Sequence, residues 1–284
     1  MVETILIARW IGMIVLIIIL FSAFQFFMNI HPPRFKSNNN PSNLGLDYEN
    51  VSFTTSDNIK IKAWLIESKK ANGTVIVGHG YPFDKGNILP VALFLYPDYN
   101  LLFYDHRYFG ESEGRITTGG FKEVEDVKAA VEFARKRFPK QPIALYGFSL
   151  SASSMLMSRE NVNAIIADSP YSDLNKIINA VYFIFGPLRY PFVWTTAVLS
   201  KIIFGVYPID ISAAEAIRDS QIPMLVIHGD KDSQIPVENS YILKENNPDI
   251  ELWIAKGADH GQAHALYKEE YEKRVKEFLR KYIK

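Results

Sequence analysis

IALYGFSLSASSMLM, residues 143–157, changes character within a few positions. Ile143 to Tyr146 is a short apolar run, the pattern of a strand buried on both faces. Ala152 to Met157 reads as a helix. Between them lies a turn so tight that only small side chains fit two residues either side of Ser149. Such a turn lifts the serine hydroxyl above the sheet. It also sets the free amides of a helix N-terminus beneath it, where they favour developing negative charge. Ser151 stands where the G-x-S-x-G pattern has glycine. Serine is still small, so the turn is kept while the motif loses some specificity.

The same strand signature recurs along the chain, at Thr74 to Val77, Asn100 to Tyr104, Ala164 to Ala167 and Met224 to His228. Ile59 to Ile66 alternates with period two and reads as a half-buried strand. Helical stripes lie between the runs. Phe121, Val124, Val127, Val131, Ala134 and Phe138 recur every three or four residues, and Leu266 to Lys284 repeats the pattern with Tyr267, Tyr271, Val275, Phe278 and Tyr282. Buried strands alternating with amphipathic helices predict an α/β fold, a mostly parallel sheet covered on both sides, with function at the carboxyl ends of the strands. One interval, about 175–207, breaks the alternation. It is rich in aromatic and aliphatic residues and punctuated by Pro187 and Pro191. It reads as a helical cap over the site, with ordinary packing helices as the alternative.

Two further loops carry chemistry. Gly229-Asp230-Lys231-Asp232 follows the strand at 224–228, and a carboxylate there can reach a histidine on a neighbouring loop. Asp232 is assigned that role, and Asp230, nearer the strand, shapes the turn. Gly257-Ala258-Asp259-His260-Gly261 follows the expected last strand, Glu251 to Ile254, and brings His260 over the serine as a general base. His264 is the rival histidine. A His260–His264 metal pair has no H-E-x-x-H or other ligand set beside it, so no metal and no cofactor is expected.

Serine, acid, histidine in that order, each just after a strand, resemble the α/β-hydrolase superfamily from about Val51 to the C-terminus. The chain is similar to serine hydrolases with one N-terminal membrane segment, and to the broad monoacylglycerol-lipase-like and serine-aminopeptidase-like group. The resemblance implies a catalytic triad of Ser149, Asp232 and His260. Val77-Gly78-His79-Gly80-Tyr81 resembles the family's H-G motif, which implies Tyr81 as one backbone N–H of the oxyanion hole and Leu150 as the other. Asp105 to Gly114 resembles the family's D-x-R-G-x-G-x-S-x-G loop, with Tyr108 in place of a glycine and a structural role implied. Some relatives carry the acid after the sixth strand, where this chain has Asp168.

The N-terminus departs from a soluble composition. Trp10 to Met28 holds no charge, and only Ser22 and Gln25 are clearly polar. About 20 apolar residues cross about 30 Å of hydrocarbon, so the run reads as an uncleaved single-pass anchor. A cleaved signal peptide and a buried core helix are the alternatives. Arg9 precedes it, while Arg34 and Lys36 follow; that lean toward a cytoplasmic C-terminal domain is too small to fix the side of the membrane. The expected division is an anchor at 1–30, a linker at 31–46 around the polar SNNNPSN stretch, and a hydrolase domain at 47–284 containing the cap.

The remaining composition excludes more than it assigns. The 284 residues carry 31 basic and 31 acidic side chains and no cysteine. There is no basic excess for nucleic acid, and thiol nucleophiles, thiolate metal sites and disulfides are ruled out. Cap and anchor together lead to an expected serine hydrolase acting on a carboxylic ester or thioester of a lipophilic acyl substrate. Phe183, Phe185 and Trp194 are expected either to line an acyl pocket or to rest on the bilayer. A serine peptidase on the same triad and a non-catalytic membrane scaffold are the alternatives.

Overall fold

The computed structural model describes residues 2–283. A long helix, α1 (Val2–Ile30), leads into β1 (Glu49–Thr54), β2 (Lys60–Ile66), β3 (Thr74–Gly78), α2 (Lys85–Ala92), β4 (Asn100–Tyr104), α3 (Glu123–Arg137), β5 (Ile143–Phe148) and α4 (Leu150–Met157). Then come β6 (Ala164–Asp168), α5 (Leu174–Val181), α6 (Tyr190–Phe204), α7 (Ala213–Ile217), β7 (Met224–Gly229), α8 (Glu238–Asn246), β8 (Glu251–Ala255), α9 (Ala263–Leu266) and α10 (Lys268–Tyr282). The strands form one eight-stranded sheet in the order β1-β2-β4-β3-β5-β6-β7-β8. Only the β1–β2 and β2–β4 pairings are antiparallel; β4 and everything beyond it run parallel.

This is the layered architecture expected of the sequence. Every residue of β3, β4, β6 and β7 is buried, because helices cover both faces. On one face Val127, Val131 and Ala134 of α3 and Met155 of α4 pack on Ile76, Leu145 and Ile165. On the other, Leu89 of α2 and Tyr271, Val275 and Phe278 of α10 pack on Val75, Tyr146 and Ile227. The edge strand β1 alternates exposed and half-covered residues, as a strand with one covered face must.

The interval between β6 and β7 is helical, and it is rooted at the carboxyl edge of the sheet. Its cap portion comprises α5, a short turn of 3-10 helix at Phe183–Arg189, and α6, before α7 leads back to the sheet. The end of α1 packs against it: Phe21 meets Phe185 and Phe192 edge-on at 5.9 and 5.6 Å, and Phe26 lies 5.4 Å from Phe204.

The chain then runs along the domain rather than away from it. Thr117 donates its N–H to the Ile30 carbonyl, Tyr108 its hydroxyl to Pro32, and Arg34 to the Gly114 carbonyl. The Ser37 N–H donates to Asp84, and the Asn39 amide donates to the Gly86 carbonyl.

Candidate active site

At the end of β5 the backbone folds sharply back into α4, and Ser149 at the corner has φ 53° and ψ −110°. A non-glycine residue there stores about 1–3 kcal/mol, which the surrounding packing must hold. Gly147 makes the turn possible, since a Cβ on it would sit 2.6 Å from the Ala152 nitrogen. The Ser149 N–H donates to the Asp168 carbonyl on the neighbouring strand, which fixes the corner from the other side.

Ser149 Oγ lies 3.0 Å from His260 Nε2, and His260 Nδ1 lies 2.7 Å from Asp232 Oδ2. The three residues come from the loops after β5, β8 and β7, so the structure brings together side chains far apart in sequence. Asp232 Oδ1 accepts the N–H groups of Gln234 and Ile235, which turns its other oxygen toward the imidazole. Burial alone would raise the Asp232 pKa. Hydrogen bonding from His228 and His260, together with the Ile235 amide, instead holds it well below the usual carboxylate range. Asp259 ties the two loops together, accepting the Ser233 N–H and hydroxyl and the His260 N–H. Asp230 accepts the Gly257 N–H, consistent with a role in shaping the turn.

The alternatives fall elsewhere. Asp168 is buried, and its carboxylate accepts the hydroxyls of Tyr271 at 2.7 Å and Ser169 at 3.0 Å rather than a histidine. His264 stacks on Phe94 and faces Glu272 at 3.4 Å. Among the described residues no group of three or more histidine and carboxylate side chains is placed to hold a metal. The acyl-pocket expectation for the cap aromatics is not met. Phe183 and Trp194 are 70% and 67% exposed, and Phe185 is taken up by Phe192 and Phe21.

Beside Ser149 runs the turn His79-Gly80-Tyr81. A Cβ on Gly80 would meet the Phe148 ring at 2.7 Å and Ser149 Cβ at 3.2 Å, so this backbone lies against the serine. The N–H groups of Tyr81 and Leu150 have no acceptor among the described residues.

A buried polar network behind the turn was not anticipated. Ser151 Oγ donates to the His79 carbonyl at 2.7 Å and accepts from His106 Nε2 at 2.6 Å. His106 Nδ1 lies 3.2 Å from Asp126. The His106 backbone N–H donates to His79 Nε2, which leaves the His79 proton on Nδ1, where it donates to the Gly80 carbonyl at 2.9 Å. In a trans peptide the C=O and N–H point opposite ways. Pinning the Gly80 oxygen therefore aims the Tyr81 N–H. The departure at Ser151 marks this network in the sequence; its partners are 45 and 72 positions away.

Burial, with His106 and Lys85 nearby, pushes the His79 pKa down to about 3. Between pH 6.5 and 3 the unfolded chain takes up a proton that the folded chain refuses, so stability falls as pH drops through that window. His79→Asn is expected to flatten this dependence between pH 6.5 and 5, above the carboxylate range. Thermal unfolding of the purified protein across that interval measures it. Equal slopes in both proteins would mean that the His79 ring protonates freely.

Comparison with known proteins points to the same fold. A family model, Hydrolase_4, described as serine aminopeptidase, S33, matches residues 69–213. The esterase Pf2001 of Pyrococcus furiosus superposes with a TM-score of 0.75 at 32% identity, covering 90% of this chain and 98% of the esterase. The uncharacterized protein YqkD of Bacillus subtilis is 28% identical over 232 residues, 77% of this chain and 75% of its own length. The uncharacterized membrane protein YNL320W of Saccharomyces cerevisiae is 23% identical over 214 residues, 73% of this chain and 71% of its own.

Proposed function

This chain belongs to the Hydrolase_4 family (serine aminopeptidase, S33), an α/β-hydrolase enzyme family, and we propose that it is a single-pass membrane esterase working through Ser149, His260 and Asp232. The observation that carries the reading is the unbroken line of contacts from Ser149 Oγ through the imidazole to a buried carboxylate, at 3.0 and 2.7 Å. Ser149 Oγ attacks the acyl carbonyl as its proton passes to His260 Nε2. Asp232 holds Nδ1–H toward itself and stabilises the imidazolium. The Tyr81 and Leu150 amides receive the developing oxyanion, each contributing about 2.7–4 kcal/mol. His260 then returns the proton to the leaving alcohol. Water, deprotonated by the same ring, releases the acid and regenerates the serine.

An ester substrate with a lipophilic acyl group is supported by the likeness to the Pf2001 esterase and by the apolar N-terminal helix. A membrane span is supported by the length and composition of that helix and by the membrane relative in yeast. The family description favours a second reading, amide hydrolysis at a peptide N-terminus. The test is fluorophosphonate labelling of the purified protein with the modified peptide mapped, followed by paired ester and aminoacyl-amide substrates. Label on Ser149 with ester turnover well above amide turnover is expected. Label on another residue would sink the assignment, and dominant amide turnover would favour the peptidase.

A further inference from the structure

We propose that α6 and the turn before it sit in the same bilayer as α1, so that the enzyme takes an ester-bearing lipid directly from the membrane. The inference rests on the reading of α1 as a span. Its core is a mismatch of lengths. Glu3 to Ile17, 15 residues, stand clear of the domain, and contact with it begins at Ile18. Fifteen helical residues reach about 22 Å, whereas the hydrocarbon layer is about 30 Å thick. Even a crossing that began at Glu3 would be completed at the level of the cap. A crossing that begins after the charge of Arg9 has only about 12 Å in the clear, and the rest of its apolar run lies beside α6. The bilayer therefore extends to the cap in either case.

The cap is built for that position. Phe21 and Phe26, five residues apart on α1, take up Phe192 and Phe204, twelve apart on α6. The shorter interval on α1 means that α6 runs more across α1 than along it, as a helix lying near the membrane plane does. Its free surface carries Trp194, Val198 and Ile202, spaced four apart on one stripe, and the turn before it adds exposed Ile184 and Leu188. Ile184 is 86% and Ile202 73% exposed. An apolar face of this kind marks an interaction surface, and here it is continuous with a helix whose own surface suits lipid. Between Phe183 and Phe204 the only charges are Arg189 and Lys201. Arg189 lies 5.1 Å from the Tyr190 ring and Lys201 5.2 Å from the Tyr207 ring, the pairing of aromatic and cation found at the headgroup level.

The hydrogen bonds of residues 30–39 tie the end of α1 closely to the domain, and Phe21 and Phe26 tie it to the cap. Because the cap grows from the carboxyl edge of the sheet, where Ser149, His260 and Asp232 meet, the membrane-facing side is also the side of the site.

The absence of cysteine allows a direct test. Single-cysteine variants Ile14→Cys, Ile184→Cys, Ile202→Cys and Lys136→Cys of the full chain are labelled with an environment-sensitive fluorophore. They are then reconstituted in phosphatidylcholine–phosphatidylglycerol vesicles. Doxyl-labelled phosphatidylcholine should quench the labels at 14, 184 and 202 but not at 136, which iodide should quench. An unquenched label at 14 would remove the span itself. A lipid-quenched label at 14, with labels at 184 and 202 open to iodide, would overturn the embedded cap while leaving the span. Labels at 184 and 202 shielded from both quenchers, and cross-linking between molecules, would make a second copy the occupant. In addition, Ile184→Asp with Ile202→Asp should lower the ratio of turnover on a vesicle-borne long-chain ester to that on a water-soluble ester by about tenfold. An unchanged ratio would overturn delivery from the membrane.

Discussion

Ser149→Ala is expected to lower ester turnover by about 10⁶-fold, His260→Ala by about as much, and the double variant by no more than either alone. The non-additivity follows from the 3.0 Å contact between Ser149 Oγ and His260 Nε2. Serine without a base is a poor nucleophile, and the base without serine has nothing to deprotonate, so removing one disables both. The Tyr81 and Leu150 amides would remain, leaving residual catalysis of about 10³–10⁴ over water. Steady-state kinetics of the three variants, with unfolding curves to show that each is folded, checks the expectation. Losses that multiplied would mean that the two side chains act on separate steps. Retained activity in Ser149→Ala would mean a different nucleophile. Ser151 would be a poor one, being fully buried with its proton on the His79 carbonyl.

The second large effect concerns the acid. Asp232→Asn is expected to cost about 10⁴-fold in kcat. The asparagine Oδ1 can keep the Gln234 and Ile235 amides, so its NH₂ faces His260 Nδ1 and His228. An N–H there forces the imidazole proton onto Nε2, the atom that must accept from Ser149. Asp168→Asn serves as the comparison. Its carboxylate is engaged by Tyr271 and Ser169, so the loss should appear in the unfolding midpoint and leave kcat within about tenfold. If Asp168→Asn abolished turnover in folded protein while Asp232→Asn did not, the acid would lie after β6.

Much of this was legible in the chain. The runs at 74–77, 100–104, 143–146, 164–167 and 224–228 fall within β3, β4, β5, β6 and β7, because a strand covered on both faces has no polar side to blur it. That Ser149, Asp232 and His260 could meet was legible because each stands in a loop just after an expected strand, at 143–146, 224–228 and 251–254. The Asp126–His106–Ser151–His79 network was not, since no periodicity links a serine on a helix to histidines after two other strands. The cap aromatics were left between two places for a related reason. Apolar composition says that Phe183 and Trp194 seek a nonpolar neighbour, but not whether that neighbour is protein or lipid. The exposure of Phe183 and Trp194 in the folded chain speaks for the outside.

The hydrogen-bonded run from Ile30 to Asn39 has a kinetic consequence. With α1 in a bilayer and Ser149 as the nucleophile, the serine is held at one fixed height over the surface, and its search for substrate is two-dimensional. Saturation is then governed by the mole fraction of ester among the lipids. Adding inert lipid at constant ester and protein slows such an enzyme by surface dilution, while enlarging the volume of water around the same vesicles does not.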